Sequence, residues 1–216
     1  QRQMCIRDRA GPVCRKPFTM SAALLPPCSI LILAGGRGQR MGGQDKGLVP
    51  WLGKPLIAHL HAVVRPLSDD LIISCNRNPE TYQHYADTLV HDQEPDYPGP
   101  LAGVLAGLAV ARHEQVLLLA CDAPQVDRAL LASLLNLAVA DTAVMVRQAG
   151  QWQPMFSLIP RSLHKVLAQA WADGERSLLR ALRSGPLLAL ECPEDDPRLA
   201  NFNTPHHLIE PGSAQP

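Results

Sequence analysis

The sequence predicts a Rossmann-like, doubly wound α/β fold on a mostly parallel, mixed sheet. Three observations predict it. Short, unbroken apolar runs such as Ser29 to Ala34 and Val116 to Ala120 read as strands covered on both faces. The runs end at Gly, Asn or Asp, where polar groups emerge at one edge of a sheet. Between them lie stretches with helical apolar spacing, giving the strand-helix alternation of a layered α/β domain.

In order along the chain, Ser29 to Ala34 is the first strand and stops at Gly35 and Gly36. Lys54 to Val64 reads as a helix with Pro55 at a tolerated early position. Asp70 to Asn76 is the second strand, its core Leu71-Ile-Ile ending in Ser-Cys-Asn-Arg. Leu89 to Asp92 closes a third. Tyr97-Pro-Gly-Pro-Leu-Ala-Gly103 is a rigid turn into a helix over Leu101 to Arg112. Val116-Leu-Leu-Leu-Ala-Cys-Asp-Ala-Pro124 is a central strand that delivers Asp122 at its carboxyl end, and Pro124 prevents its continuation. Asp127 suits a helix cap, and Asp127 to Ala138 and Arg161 to Ala172 carry helical spacing. Thr142 to Val146 and Met155 to Ile159 are strands, and Asp173-Gly-Glu-Arg-Ser opens a further helix.

Chemistry concentrates in Leu31-Ile-Leu-Ala-Gly-Gly-Arg-Gly-Gln-Arg-Met-Gly-Gly-Gln-Asp-Lys46, where a buried strand runs into a glycine-rich, basic loop. Glycine lets backbone approach a ligand closely and offer N–H groups to phosphate oxygens. Arg37, Arg40 and Lys46 add positive charge able to neutralise a triphosphate and the charge that grows as its α-phosphorus is attacked. Two other glycine signatures are excluded. A Walker loop needs Ser or Thr after its lysine, where this chain has Gly47; the dinucleotide fingerprint needs a glycine where this chain has Met41. Asp122, at a strand end beside that loop, suits Mg²⁺, which takes one or two carboxylates and completes its shell with phosphate oxygens and water. For Asn76, a base or ribose contact and a simple strand-ending turn are equally compatible with the spacing.

Strand, Ala-Gly-Gly, Arg-Met-Gly and Asp-Lys in one register resemble the signature loop of nucleotidyltransferases, and most closely that of the molybdenum cofactor guanylyltransferase family. The Tyr97–Gly103 segment, Cys121-Asp-Ala-Pro and Asn201-Phe-Asn-Thr-Pro205 follow in the family's order. The resemblance covers Ser29 to about Leu208 and implies a nucleotidyltransferase fold transferring GMP from Mg-GTP to the terminal phosphate of molybdopterin. It further implies nucleotide contacts from Leu33, Ala34, Gly35, Gly36, Lys46, Asn76, Asp92 and Asp122, with Asp92 accepting from guanine. Lys46, Arg40 and Asp122 become the catalytic set, with Asp122 on Mg²⁺. Gln153-Pro-Met-Phe-Ser-Leu resembles a segment flanking the acceptor, and Asn201 and Asn203 become acceptor-binding residues; an Asn-rich turn with Thr204 capping a short helix is compatible with the same residues. Departures at Gly38-Gln39 and around Gln153 bear on the acceptor more than on the nucleotide. A cytidylyltransferase acting on the same pterin, a sugar-phosphate nucleotidyltransferase and a non-catalytic GTP and pterin carrier are the alternatives.

Composition agrees with a small-molecule enzyme. The 216 residues carry 20 basic and 20 acidic side chains, so no polyanion-binding face is advertised and nucleic acid is not an expected partner. No apolar stretch reaches the roughly 20 residues of a membrane span. The six cysteines lack metal-finger spacing and are expected as reduced thiols in a cytoplasmic protein, with Cys121 as buried filler. Gln1 to Thr19 show no period and are expected to be a non-native or disordered extension, with a single domain over residues 20–216. A monomer is expected, with GTP and molybdopterin as substrates and molybdoenzymes or their chaperones downstream.

Overall fold

The computed structural model describes residues 25–35, 44–92 and 99–202. The segment Gln1 to Thr19 therefore lies outside the described residues. Among those described, one sheet is built from β1 (Ser29–Leu33), β4 (Leu71–Ser74), β5 (Thr88–Val90), β6 (Gln115–Ala120), β7 (Ala143–Gln148), β8 (Gln151–Pro160) and β9 (Leu187–Cys192). The hairpin β2 (Pro50–Trp51) and β3 (Lys54–Pro55) stands apart from it. The seven strands lie in the order β5-β4-β1-β6-β8-β7-β9. The limb β5-β4-β1-β6 is parallel throughout, β8 runs antiparallel to β6 and β7, and β9 is parallel to β7. The sheet is thus mixed and mostly parallel, as expected.

Alternation along the strands builds two cores, because successive side chains point to opposite faces. On one face Ile30, Ile32, Leu71, Ile73, Leu117 and Leu119 pack under α1 (Leu56–Val64) and α4 (Arg128–Asn136), through Ile57, Leu60, Leu131 and Leu134. On the other, Leu31, Ile72, Val116 and Leu118 meet α3 (Pro100–Val110), α5 (His164–Ala172) and α6 (Leu178–Arg183). Ile30, Leu31 and Ile32 are wholly buried, each contributing about 1.5–3 kcal/mol through burial. Coverage on both faces is why β1 reads as an unbroken apolar run. α3 lies close over β1 and β4 because Gly103 and Gly107 face them. A Cβ at Gly103 would stand 2.8 Å from Ser74 Oγ, and one at Gly107 would overlap Leu31.

Three local expectations need correcting. Lys54 and Pro55 are not helical: β3 pairs antiparallel with β2, and α1 starts at Leu56. The reason is the Leu52-Gly53 turn, where φ is positive at both residues (49° and 76°), which folds the chain back into a tight hairpin. β9 is an additional strand, and β8 is twice the length expected from Met155 to Ile159. A short helix α2 (Pro79–Tyr82) follows β4 after Asn78, which adopts the left-handed conformation (φ 50°). Asp127 caps α4 as expected, accepting from Leu130 N–H at 2.7 Å. Among the described residues no helix is long and apolar enough to cross a membrane.

Candidate active site

Parallel strands all finish at one edge of the sheet, so whatever follows them is gathered there. Beyond β6 comes Asp122, buried at 7% exposure. Beyond β1, past the glycine loop, a 3-10 turn over Lys46–Leu48 brings Lys46 to the same place. Lys46 Nζ donates to Asp122 Oδ2 at 3.3 Å, joining residues 76 positions apart. The two features singled out in the sequence therefore converge. The turn can lie this close because of Gly47, where an added Cβ would stand 3.2 Å from Cys121 Sγ and would strike the Tyr82 hydroxyl.

Beyond β4 and β5 stand Asn76 and Asp92. They bond reciprocally: Asn76 Nδ2 donates to Asp92 Oδ2 at 2.6 Å and Asp92 N–H donates to Asn76 Oδ1 at 3.0 Å. Gly35 lies beside them, with room for a Cβ only 3.4 Å from Asn76 Nδ2. Leu33 ends β1 and its carbonyl accepts from Cys121 N–H at 3.1 Å. The Ala34 N–H is given to the Ser74 carbonyl at 2.8 Å and extends the sheet ladder. Gly35 is thus the first residue past that ladder. Gly36 and Arg40 lie outside the described residues, as do Arg37 and Tyr97.

Residues 201 and 202 are held at the same edge. Phe202 N–H donates to the Asp122 carbonyl at 2.8 Å, and the Phe202 ring meets Trp51 edge-on at 5.0 Å. That places Asn201 next to Asp122, and its Oδ1 is buried with no hydrogen-bond partner among the described residues. Buried amide oxygens are normally paired, so this one is suited to a ligand's donor. Asn203 and Thr204 lie outside the described residues. The β8 pairing sets Phe156 opposite Leu119, so Gln153 to Met155 continue toward the Asp122 edge.

Cys121 is buried, and burial followed by the charge of Asp122 pushes its thiol well above the ordinary range. It is a packing residue rather than a nucleophile. Two residues of the site, Asn78 and Tyr82, carry no signal in the sequence, and Asp45 is read there only as the neighbour of Lys46 in the Asp-Lys motif. Tyr82 Oη donates to Asp45 Oδ1 at 2.5 Å, and Asn78 Nδ2 donates to Asp45 Oδ2 at 3.0 Å. Asp45 precedes Lys46 in the motif, but nothing in the spacing pairs it with a helix more than 30 residues away.

A strand-end carboxylate, a lysine on a glycine-rich loop and a polar pair beyond the neighbouring strands define a nucleotidyltransferase. The model of the MobA-like NTP transferase domain matches residues 30–186, and the chain belongs to that family. A molybdenum cofactor guanylyltransferase of Pseudomonas putida is 68% identical over 185 residues, covering 85% of this chain and 97% of its own length. One from Pseudomonas aeruginosa is 59% identical over 191 residues, covering 88% and 96%. The molybdopterin-guanine dinucleotide biosynthesis protein A of Archaeoglobus fulgidus shares the fold with a TM-score of 0.66. It is 22% identical, covering 83% of this chain and 94% of its own.

Proposed function

We infer that the chain transfers GMP from GTP to molybdopterin. An oxygen of the pterin's terminal phosphate attacks the α-phosphorus of GTP, the bond from that phosphorus to the β-phosphate bridge breaks, and pyrophosphate leaves. The product is the guanine dinucleotide form of the pterin. High identity to named guanylyltransferases supports the reaction, and the observation that carries the residue assignment is the 3.3 Å approach of Lys46 to Asp122.

Lys46 binds the triphosphate and offsets the charge that grows on its oxygens. A fixed cation in a partly dry site stabilises that charge without reorganising during the reaction. Arg40 and the glycine-loop amides from Gly35 and Gly36 act alongside it, with Leu33 and Ala34 meeting the nucleotide where the loop leaves the sheet. Asp92 and Asn76 bind the base: a carboxylate accepts from the guanine ring N–H and amino group together, whereas cytosine sets its amino group beside a ring nitrogen that only accepts. Asn201 and Asn203 orient the acceptor pterin or its phosphate through their amide groups. Catalysis is then alignment of acceptor and α-phosphorus plus charge stabilisation, with no covalent enzyme intermediate.

Asp122 fits a magnesium ion. It is a single buried carboxylate at a strand end, and no group of three or more His, Cys, Asp or Glu among the described residues forms a ready-made metal cage. That donor set suits an ion that draws most of its ligands from phosphate and water. Bound there, Mg²⁺ would supply charge neutralisation along the triphosphate. The same reading makes the protein a monomeric cytoplasmic enzyme whose product passes to molybdoenzymes or their chaperones.

The experiment is incubation of the full chain and molybdopterin with each Mg-nucleotide, scoring pyrophosphate and dinucleotide. Product from GTP and not CTP is expected. Product from CTP alone, or turnover with a sugar 1-phosphate in place of the pterin, would reject the assignment, as would GTP binding without pyrophosphate release.

A further inference from the structure

Asp45 sits one residue before Lys46 and does not cap its own 3-10 turn, since no backbone amide of that turn bonds its side chain. Both its oxygens are instead given to a separate element. Oδ1 accepts from Tyr82 Oη at 2.5 Å, and Oδ2 accepts from Asn78 Nδ2 at 3.0 Å. Tyr82 is wholly buried at the end of α2, so its hydroxyl is held by the surrounding core rather than by solvent. Asn78 is fixed differently, by a left-handed backbone (φ 50°) that Asn tolerates better than most residues. The Asp45 side chain is therefore anchored at two independent points.

The next residues close the arrangement. Gly47 presses the turn against the Tyr82 hydroxyl on one side and against Cys121 on the other. Between Asp45 and Gly47 the Lys46 backbone has little freedom, and its ammonium meets Asp122, the residue after Cys121. We propose that Asp45, held by Tyr82 and Asn78, is a strut that sets the position of Lys46, making Tyr82 and Asn78 positioning residues for guanylyl transfer. The strut joins the two halves of the nucleotide site, because Asn78 lies two residues after Asn76 of the base-side pair. Asp45 is thereby a structural carboxylate, distinct in role from the metal-binding Asp122. The inference rests on Lys46 acting at the triphosphate, as proposed above.

The test compares Tyr82→Phe, Asp45→Asn, the exchanged pair Asp45→Asn with Asn78→Asp, and Lys46→Ala, each as the full chain. Pyrophosphate release gives kcat and KM for GTP, and thermal melting reports the fold. Tyr82→Phe keeps the buried ring and removes the hydroxyl; it should lower kcat about tenfold, since small misplacements of a catalytic group cost that much or more. Asp45→Asn removes the charge that strengthens both bonds and sets its amide against that of Asn78, which has to turn over to present its oxygen; it should lower kcat severalfold. The exchanged pair restores donor to acceptor: the amide introduced at position 45 donates to the carboxylate introduced at position 78, and its oxygen still accepts from Tyr82. It should recover kcat to within about threefold of wild type, a coupling expected of residues in one network. A part in folding alone would move melting and leave kcat and KM intact. Wild-type kcat and KM in both single variants, or no recovery in the exchanged pair, overturns the strut while an inactive Lys46→Ala leaves the phosphate assignment standing. An active Lys46→Ala overturns both.

Discussion

Two aspartates mark opposite edges of the parallel strands, and both are buried: Asp70 at 2% exposure and Asp122 at 7%. Asp70 is held from within the chain. It accepts from Ser29 Oγ at 2.5 Å and Arg112 N–H at 2.8 Å, and pairs with Arg112 Nε at 3.1 Å. Asp122 has one side-chain partner among the described residues, Lys46 at 3.3 Å. A carboxylate met by three donors of its own chain holds the fold together; one met by a single side-chain donor among the described residues is available to a ligand. Burial alone does not separate structure from chemistry here. The donors around each carboxylate differ, among the described residues, three against one.

Substitutions at the two carboxylates and their partners put this contrast to the test. Lys46→Ala should give the largest effect, a loss of about 100- to 1000-fold in turnover with melting nearly unchanged, the size seen when a preorganised charge is removed from a transition state. Pyrophosphate release measures it, and turnover within a few-fold of wild type would remove Lys46 from the reaction. Asp122→Asn comes next. It should raise the magnesium concentration needed for half-maximal rate and cut turnover by roughly 100-fold. An unchanged magnesium titration would sink its metal role.

Asp70→Asn should reverse the pattern, leaving turnover intact and lowering stability by about 1–3 kcal/mol in denaturant melts. The figure stays below that for a fully buried pair because Arg112 is 56% exposed. The smallest effect concerns Glu175, whose carboxyl is held down at about 2 by Arg180 and then by the Ser177 amide. A depressed folded value means the unfolded chain binds the proton first as acid is added. Its support for the start of α6 is therefore complete above the ordinary carboxylate range and fades as pH falls from about 4 toward 2. Melting of wild type against Glu175→Gln across that range should converge at the acid end. A gap constant with pH would contradict the sign.

How much of this is legible in the sequence follows from how local each signal is. β1, β4 and β6 are readable because coverage on both faces leaves nothing but apolar residues, as in Val116-Leu-Leu-Leu. The Asp127 cap is readable because it acts three residues away. β9 is not: it is an edge strand, half exposed, and Leu187-Leu-Ala-Leu-Glu-Cys lacks the solid apolar run of a central strand. Lys54-Pro55 misleads because the positive φ at Leu52 is a tertiary choice that Leu does not announce. In the site, Lys46 and Asp122 can be placed from strand ends and parallel topology. Asp45, Asn78 and Tyr82 cannot, since their bonds span more than 30 residues and join a turn to a helix of one turn. The ladder bond of the Ala34 amide is equally invisible, because its partner is a carbonyl on a neighbouring strand.

In the proposed reaction Lys46 and Asp122 hold one magnesium-bound triphosphate between them. A crystal structure of the chain with Mg²⁺ and a GTP analogue bearing a methylene bridge between the α- and β-phosphates would show whether they do. The expected result is a triphosphate oxygen in hydrogen-bond contact with Lys46 Nζ, the metal on the Asp122 carboxylate, and guanine against Asn76 and Asp92. Nucleotide bound elsewhere, with the Lys46–Asp122 pair untouched, would contradict it.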